Sequence, residues 1–295
     1  MTATDHHASY QHLESLRSTR AVAGRWMVLS VVAFLGFGYA FVRLHGLLLG
    51  QSTEPIVITP SSLPNGLEVL ALLVGTLVFV AVPHELLHGV AMHRYEGDAQ
   101  YGVQLTRFVF PYAYAESDAT YERDAMLVVL VTPFVVISSL GLVLSVVLEA
   151  TWPLFFVAVN AAGSVGDLWT AFRLLQYPSS VRVGPTPPGD VGALGVYGRS
   201  RGHARDGTLP AAALTAIVGA VGTFVSLVTA FVALVFLSLG FDTGAVVLGT
   251  PDGWLLFRHE RLPGQGAMIE VGEGLVAVVS VTGGILWAAL TGLDE

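Results

Sequence analysis

Six long apolar stretches dominate this sequence, each close to the ~20 residues a helix needs to cross a bilayer. They run from Trp26 to Leu49, Leu67 to Met92, Ala125 to Leu148, Trp152 to Tyr177, Pro210 to Leu239 and Gly274 to Thr291. Charge is scarce throughout: charged residues make up 12%, where a soluble domain carries roughly 25%. Mean hydropathy is +0.67. A water-soluble globule of this size needs a charged shell, so that class is excluded, and the same apolarity excludes disorder. The expected fold is an all-α membrane protein of about six transmembrane helices. The first stretch does not read as a cleavable signal, because it is too long for an h-region and a polar tail precedes it.

The chain has no cysteine, which removes disulfides and thiolate metal sites. All 14 basic residues are arginine, set against 22 acidic residues for a net charge of -8. Such a chain is a poor match for nucleic acid. Its expected surroundings are the lipid bilayer.

The arginines also set an orientation, because cytoplasmic loops are enriched in positive charge. With the N-terminus inside, Arg17, Arg20, Arg25, Arg94, Arg107, Arg123, Arg182, Arg199, Arg201 and Arg205 all fall inside. Only Arg258 and Arg261 fall outside; Arg43 and Arg173 lie within spans. Both termini are therefore expected in the cytoplasm of a multi-pass protein of the cell membrane. The segments then read as a cytoplasmic tail over 1–25, a first span and outer loop over 26–66, and a core of three spans over 67–177. A flexible Pro/Gly-rich cytoplasmic linker over 178–209 and a two-span module over 210–295 follow. That module has an outer loop at 240–273, with a small hairpin expected around Trp254 to Leu262. Within the inside loop 94–124, Tyr101 to Ala115 is rich in aromatic and β-branched residues and reads as one or two strands.

One motif carries chemistry. The second apolar stretch ends in Val82-Pro83-His84-Glu85-Leu86-Leu87-His88-Gly89, the pattern H-E-x-x-H. Residues four apart on a helix sit one above the other, so His84 and His88 can offer two imidazoles to one metal ion. Glu85 lies one step round, where it can act as general base on a water. Zinc suits imidazole ligands. Ionisable groups inside a membrane are costly and mark functional sites.

A catalytic zinc has three protein ligands and one open position. The best third candidate is Asp167, the only acidic residue within the fourth stretch. His84 lies about 26 Å into its span and Asp167 about 23 Å into its own, at 1.5 Å per residue. The two spans run in the same direction, so these groups reach similar depth. The alternatives are an Asp167 paired with Arg173 or capping a broken helix, or a distant glutamate ligand among Glu149, Glu270 and Glu273. Asn160 and Ser164 precede Asp167 by seven and three residues and share its face. Asn160 and Ser164 are the candidate substrate-binding or oxyanion residues: Asn160 could donate to an oxyanion or hold substrate backbone, with packing between helices as the alternative. Pro83 removes one helical hydrogen bond and can kink the span. His45 and Arg43, near the outer end of the first span, are expected to snorkel to the interface. His6, His7, His12 and His203 read as solvated.

These residues resemble the site-2 protease class of intramembrane zinc metalloproteases. Within it, the chain is most similar to a small group of membrane proteins known as "putative zincin peptidase". The resemblance covers about residues 67–190 and rests on His84-Glu85-Leu86-Leu87-His88, Pro111-Tyr112-Ala113-Tyr114 and Asn160 with Ser164-Val165-Gly166-Asp167. It implies zinc held by His84, His88 and Asp167, Glu85 as general base, and a catalytic core built from the second, third and fourth spans. The chain departs from the class in having Leu168 after Asp167, where glycine is usual, and in lacking a PDZ-like domain. The expected activity is hydrolysis of peptide bonds in a membrane protein or peptide substrate near the cytoplasmic face. The competing reading is a non-catalytic metal-binding protein or transporter using the same His/Asp site. Substrate identity and oligomeric state are not legible.

Overall fold

Apolar side chains on long unbroken runs favour helices, whose backbone groups bond internally. In the computed structural model, which describes residues 10–17, 20–51, 56–58, 66–105, 111–186, 193–199, 211–241, 244–250, 253–262 and 266–291, those runs are helical. In chain order the first half contains β1 (Gln11–Arg17), α1 (Arg20–Leu48), β2 (Ile56–Ile58), α2 (Gly66–Thr76), a π turn (Leu77–Ala81), α3 (Val82–Arg94), β3 (Gln100–Leu105), β4 (Pro111–Glu116) and β5 (Tyr121–Glu122). There follow α4 (Arg123–Val147), α5 (Trp152–Gly163), α6 (Val165–Leu174), β6 (Arg182–Pro185), β7 (Ala193–Gly198), α7 (Ala211–Gly240), β8 (Ala245–Gly249), β9 (Leu255–Leu262), β10 (Gly266–Val271) and α8 (Glu273–Thr291). Five helical stretches are long and apolar enough to cross a membrane, and α5 with α6 makes a sixth if the bent pair is one span.

The fourth apolar stretch is not one straight helix. It breaks at Ser164, and α5 and α6 meet at 46°. The second stretch is irregular as well. Its π turn lies just ahead of Pro83, where an α-helix would drive the proline ring into the carbonyl of Phe79. Widening the turn relieves that clash within one helix length.

The all-α expectation needs correction: the chain is mostly helical, but its connections form three antiparallel sheets among the described residues. The tail and the linker, expected to be solvated and flexible, pair with each other. Sheet order is β1-β7-β6-β5, with Gln11 opposite Gly198 and Arg17 opposite Ala193. The physical reason is burial. Leu16, Tyr121, Val181, Val183 and Val196 point into one core with Met92, Met126 and Leu174. Val183 and Val196 are fully buried, and each such side chain contributes about 1.5–3 kcal/mol. His12, expected to be solvated, is half-buried in β1, 3.0 Å from Ser15 Oγ and edge-on to Tyr197. His6, His7, Thr106, Arg107, Arg201, His203 and Arg205 lie outside the described residues. The 101–115 expectation matches a hairpin, β3 against β4, with Tyr101 opposite Ala115.

The chain divides into two compact units, residues 1–49 with 73–208, and residues 50–72 with 209–295. In the second unit α7 packs along α8, and a sheet of order β2-β10-β9-β8 joins both expected outer loops. The single hairpin expected there is thus three strands of a four-stranded sheet. Phe257 of β9 stacks on Phe231 of α7 at 4.6 Å between centroids. His259, on the same strand face, is fully buried, and neither ring nitrogen has a hydrogen-bond partner. Burial pushes its pKa below the ordinary imidazole value, and the charge of Arg261 pushes the same way.

Candidate metal centre

The helical repeat places His84 and His88 one turn apart on α3, and both are buried. The bend at Ser164 starts a new helix, α6, with Asp167 in its first turn. There its carboxylate reaches back to α3. Asp167 Oδ2 lies 3.1 Å from His84 Nε2 and 3.5 Å from His88 Nε2. Donors 2.0–2.1 Å from a tetrahedral zinc lie about 3.3 Å from one another. The three groups therefore stand close to ligand spacing, and among the described residues they form a group that could hold a metal ion.

The outer nitrogens of the two rings decide how the inner ones present themselves. His88 Nδ1 is 2.9 Å from the carbonyl oxygen of Val129. A carbonyl only accepts, so Nδ1 carries the proton and Nε2 offers a lone pair. His84 Nδ1 is 2.9 Å from Asn160 Oδ1, while Asn160 Nδ2 donates to the Pro133 carbonyl at 3.4 Å. That second bond fixes the amide orientation, so Oδ1 accepts from His84 in the same way. Two lone pairs and a carboxylate thus converge on one point, an arrangement that calls for a cation. Side chains that orient the outer nitrogen of a metal-bound histidine in this way are a regular part of such sites. The donor set of two imidazoles and a carboxylate fits zinc.

Glu85 lies beside His84 on the helix and is half-buried. The backbone amide of Ala115, on β4, faces its carboxylate. The hairpin is held close at a second point. Tyr101 of β3 places its hydroxyl against the bare Cα of Gly89, in the space a Cβ there would take. By contrast, no neighbour lies near the Cβ position of Gly163.

Arg173, a candidate partner for Asp167, turns elsewhere. Its guanidinium meets Glu14 of β1 at 2.9 Å, and Tyr177 donates to the same carboxylate. Asn160 and Ser164 are both fully buried. Ser164 Oγ donates to the Asn160 carbonyl at 2.8 Å, and the Asn160 amide is engaged at both ends. The donors expected to meet an oxyanion are thus committed within the protein. His45 is buried and 3.1 Å from Ser145 Oγ, so it does not snorkel as expected. Val129 and Pro133 escaped notice in the sequence because the groups at work there are backbone carbonyls. The only signal was a proline in the middle of an apolar span.

Residues 77–182 match the model of a family described as "Putative zincin peptidase". The matched segment contains His84, Glu85, His88, Val129, Pro133, Asn160 and Asp167. The match supports a zincin-type metallopeptidase and implies zinc as the metal. No curated protein and no solved structure matches the chain.

Proposed function

We propose that the chain is an intramembrane zinc metalloprotease of the site-2 protease kind, cleaving peptide bonds of membrane-associated substrates near the cytoplasmic face. The observation that carries this reading is the convergence of His84 Nε2, His88 Nε2 and Asp167 Oδ2 beside Glu85, inside apolar helices. Zinc bound there supplies a Lewis acid for the scissile carbonyl and lowers the pKa of water towards neutrality. Glu85 takes the proton of the attacking water and passes it to the leaving amine. His84, His88 and Asp167 hold their geometry through the transition state, and the buried walls exclude bulk water.

The hairpin supports a binding mode. Ala115 directs its amide towards Glu85, away from β3, and alternation along a strand gives Ala113 the same outward direction. The free edge of β4 therefore faces the catalytic base. An unwound substrate segment, whose carbonyls are no longer bonded within a helix, can add to that edge as a strand.

The orientation rests on the arginine excess and on chain connectivity. Tail, second-to-third connection and fourth-to-fifth connection share one sheet, so a common side, the cytoplasmic one, suits all three. The test is metal content and peptide-bond cleavage of the purified chain, set beside a Glu85→Gln variant. The expected result is zinc bound by both proteins and cleavage slowed at least about 100-fold in the variant. Undiminished cleavage by the variant would overturn the hydrolase reading.

A further inference from the structure

We infer that Pro133 is a positioning residue for the metal centre, because it frees the carbonyl that orients His88. The inference rests on the metal-centre reading above. In an unbroken α-helix the amide of residue 133 bonds to the carbonyl of residue 129. Proline has no amide hydrogen, and its ring pushes the carbonyl four residues back away from the helix axis. That carbonyl belongs to Val129, and it is the one 2.9 Å from His88 Nδ1. Val129 and Pro133 are both fully buried, so water does not fill the vacancy. A bare carbonyl there is costly, and the imidazole N–H fills it. The defect in α4 and the tautomer of His88 are therefore two sides of one bond.

The same residue stands behind the other histidine. The carbonyl of Pro133 itself receives Asn160 Nδ2 at 3.4 Å, which turns Asn160 Oδ1 towards His84. Pro133 lies inside α4, one helical turn beyond Val129. It acts through Val129 and Asn160.

The test is Pro133→Ala in the full chain in detergent, with zinc affinity measured by chelator competition and Tm measured on the metal-free protein. The restored amide competes with His88 for the Val129 carbonyl. Zinc affinity is expected to fall about 10-fold or more, while the metal-free Tm stays level or rises because α4 regains a bond. In the cobalt-substituted protein the ligand-field bands should shift. The control Pro153→Ala removes a proline from the first turn of α5, where the missing amide has no helical partner, and should keep wild-type affinity. Unchanged affinity and an unchanged cobalt spectrum in Pro133→Ala overturn the inference. So does a joint loss of affinity and metal-free Tm, which would assign the proline to the fold. If Pro133→Ala does not fold, Pro133→Gly restores the same amide and is read by the same outcomes. A wild-type chain that binds no zinc would instead overturn the metal-centre reading itself.

Discussion

The helices of the metal centre and the α7–α8 pair are built from similar apolar residues, yet they differ in regularity. Neither α7 nor α8 contains a proline, and their only charged residue is Glu273, in the first turn of α8. They close on each other through small residues, with Gly219 facing Trp287 and Gly284 facing Ala216 and Ala220. The helices of the centre are interrupted throughout: a π turn and Pro83 in the second apolar stretch, Pro133 in α4, and a 46° break between α5 and α6. Each interruption lies within a few residues of a ligand or of a group that orients one. A regular helix keeps its backbone groups for itself. Only an interrupted one has a carbonyl to give to a histidine, or a fresh first turn in which to place an aspartate.

This contrast can be broken most severely at Asp167. In Asp167→Asn the carboxylate that completes the ligand set is lost, and zinc content after dialysis is expected to drop close to zero, as metal analysis would show. Next comes Asn160→Leu, which leaves His84 Nδ1 without its acceptor. Zinc affinity should fall about 10–100-fold with helical content unchanged by circular dichroism. Retention of full affinity would remove Asn160 from the centre.

The regular pair should respond in the opposite sense. A Cβ at position 284 would fall 2.8 Å from the Cβ of Ala220 and still closer to the Ala216 carbonyl. Gly284→Val should therefore destabilise the second unit by about 1–3 kcal/mol, read as a lower Tm, while zinc affinity stays at the wild-type level. A loss of zinc in this variant would show that the regular and irregular helices are not energetically separate.

The smallest expected effect is at His259. Its folded pKa lies below the unfolded value, so the unfolded chain binds the extra proton as pH falls. Its stabilising contribution is complete above the ordinary imidazole pKa and is lost as pH falls below it towards the depressed folded value. Thermal melts between pH 7.5 and pH 5 should show a Tm that declines on the acid side, and His259→Phe should flatten that decline. An unchanged slope in the variant would assign the acid sensitivity to other groups.

That His84, His88 and Asp167 come together is legible because it depends on short-range facts. A helical repeat fixes His84 against His88, and depth along two spans matches His84 with Asp167. The long apolar runs were legible for the same reason, since twenty residues suffice to identify each one. The sheets were not, because β1 pairs with β7 across most of the first unit. Its sequence, Gln11 to Arg17, alternates too weakly to announce a buried face. The linker disguised β6 and β7 behind prolines and glycines, although Val181, Val183 and Val196 supply the inward side. For Asn160 and Ser164 the sequence leaves two directions open, because a polar side chain near such a cluster can face either a substrate or a neighbouring helix. Only the positions of Pro133 and Val129 show which. The break at Ser164 has a sequence signal in Gly163 and Gly166 on either side of it, which fits the alternative of an Asp167 capping a broken helix.

The pairing of β1 with β7 also imposes an order on synthesis. Residue 17 leaves the ribosome long before residue 198, and at 5–20 residues per second the delay is roughly 10 to 40 seconds. During that interval α3, α4, α5 and α6 are all made, but the partner strand of β1 is absent. Glu14, whose carboxylate holds Arg173 in the last turn of α6 and Tyr177 just past it, reaches its place only when the sheet closes. The proposed metal ligands are thus all synthesised before the clasp at the end of α6 can form.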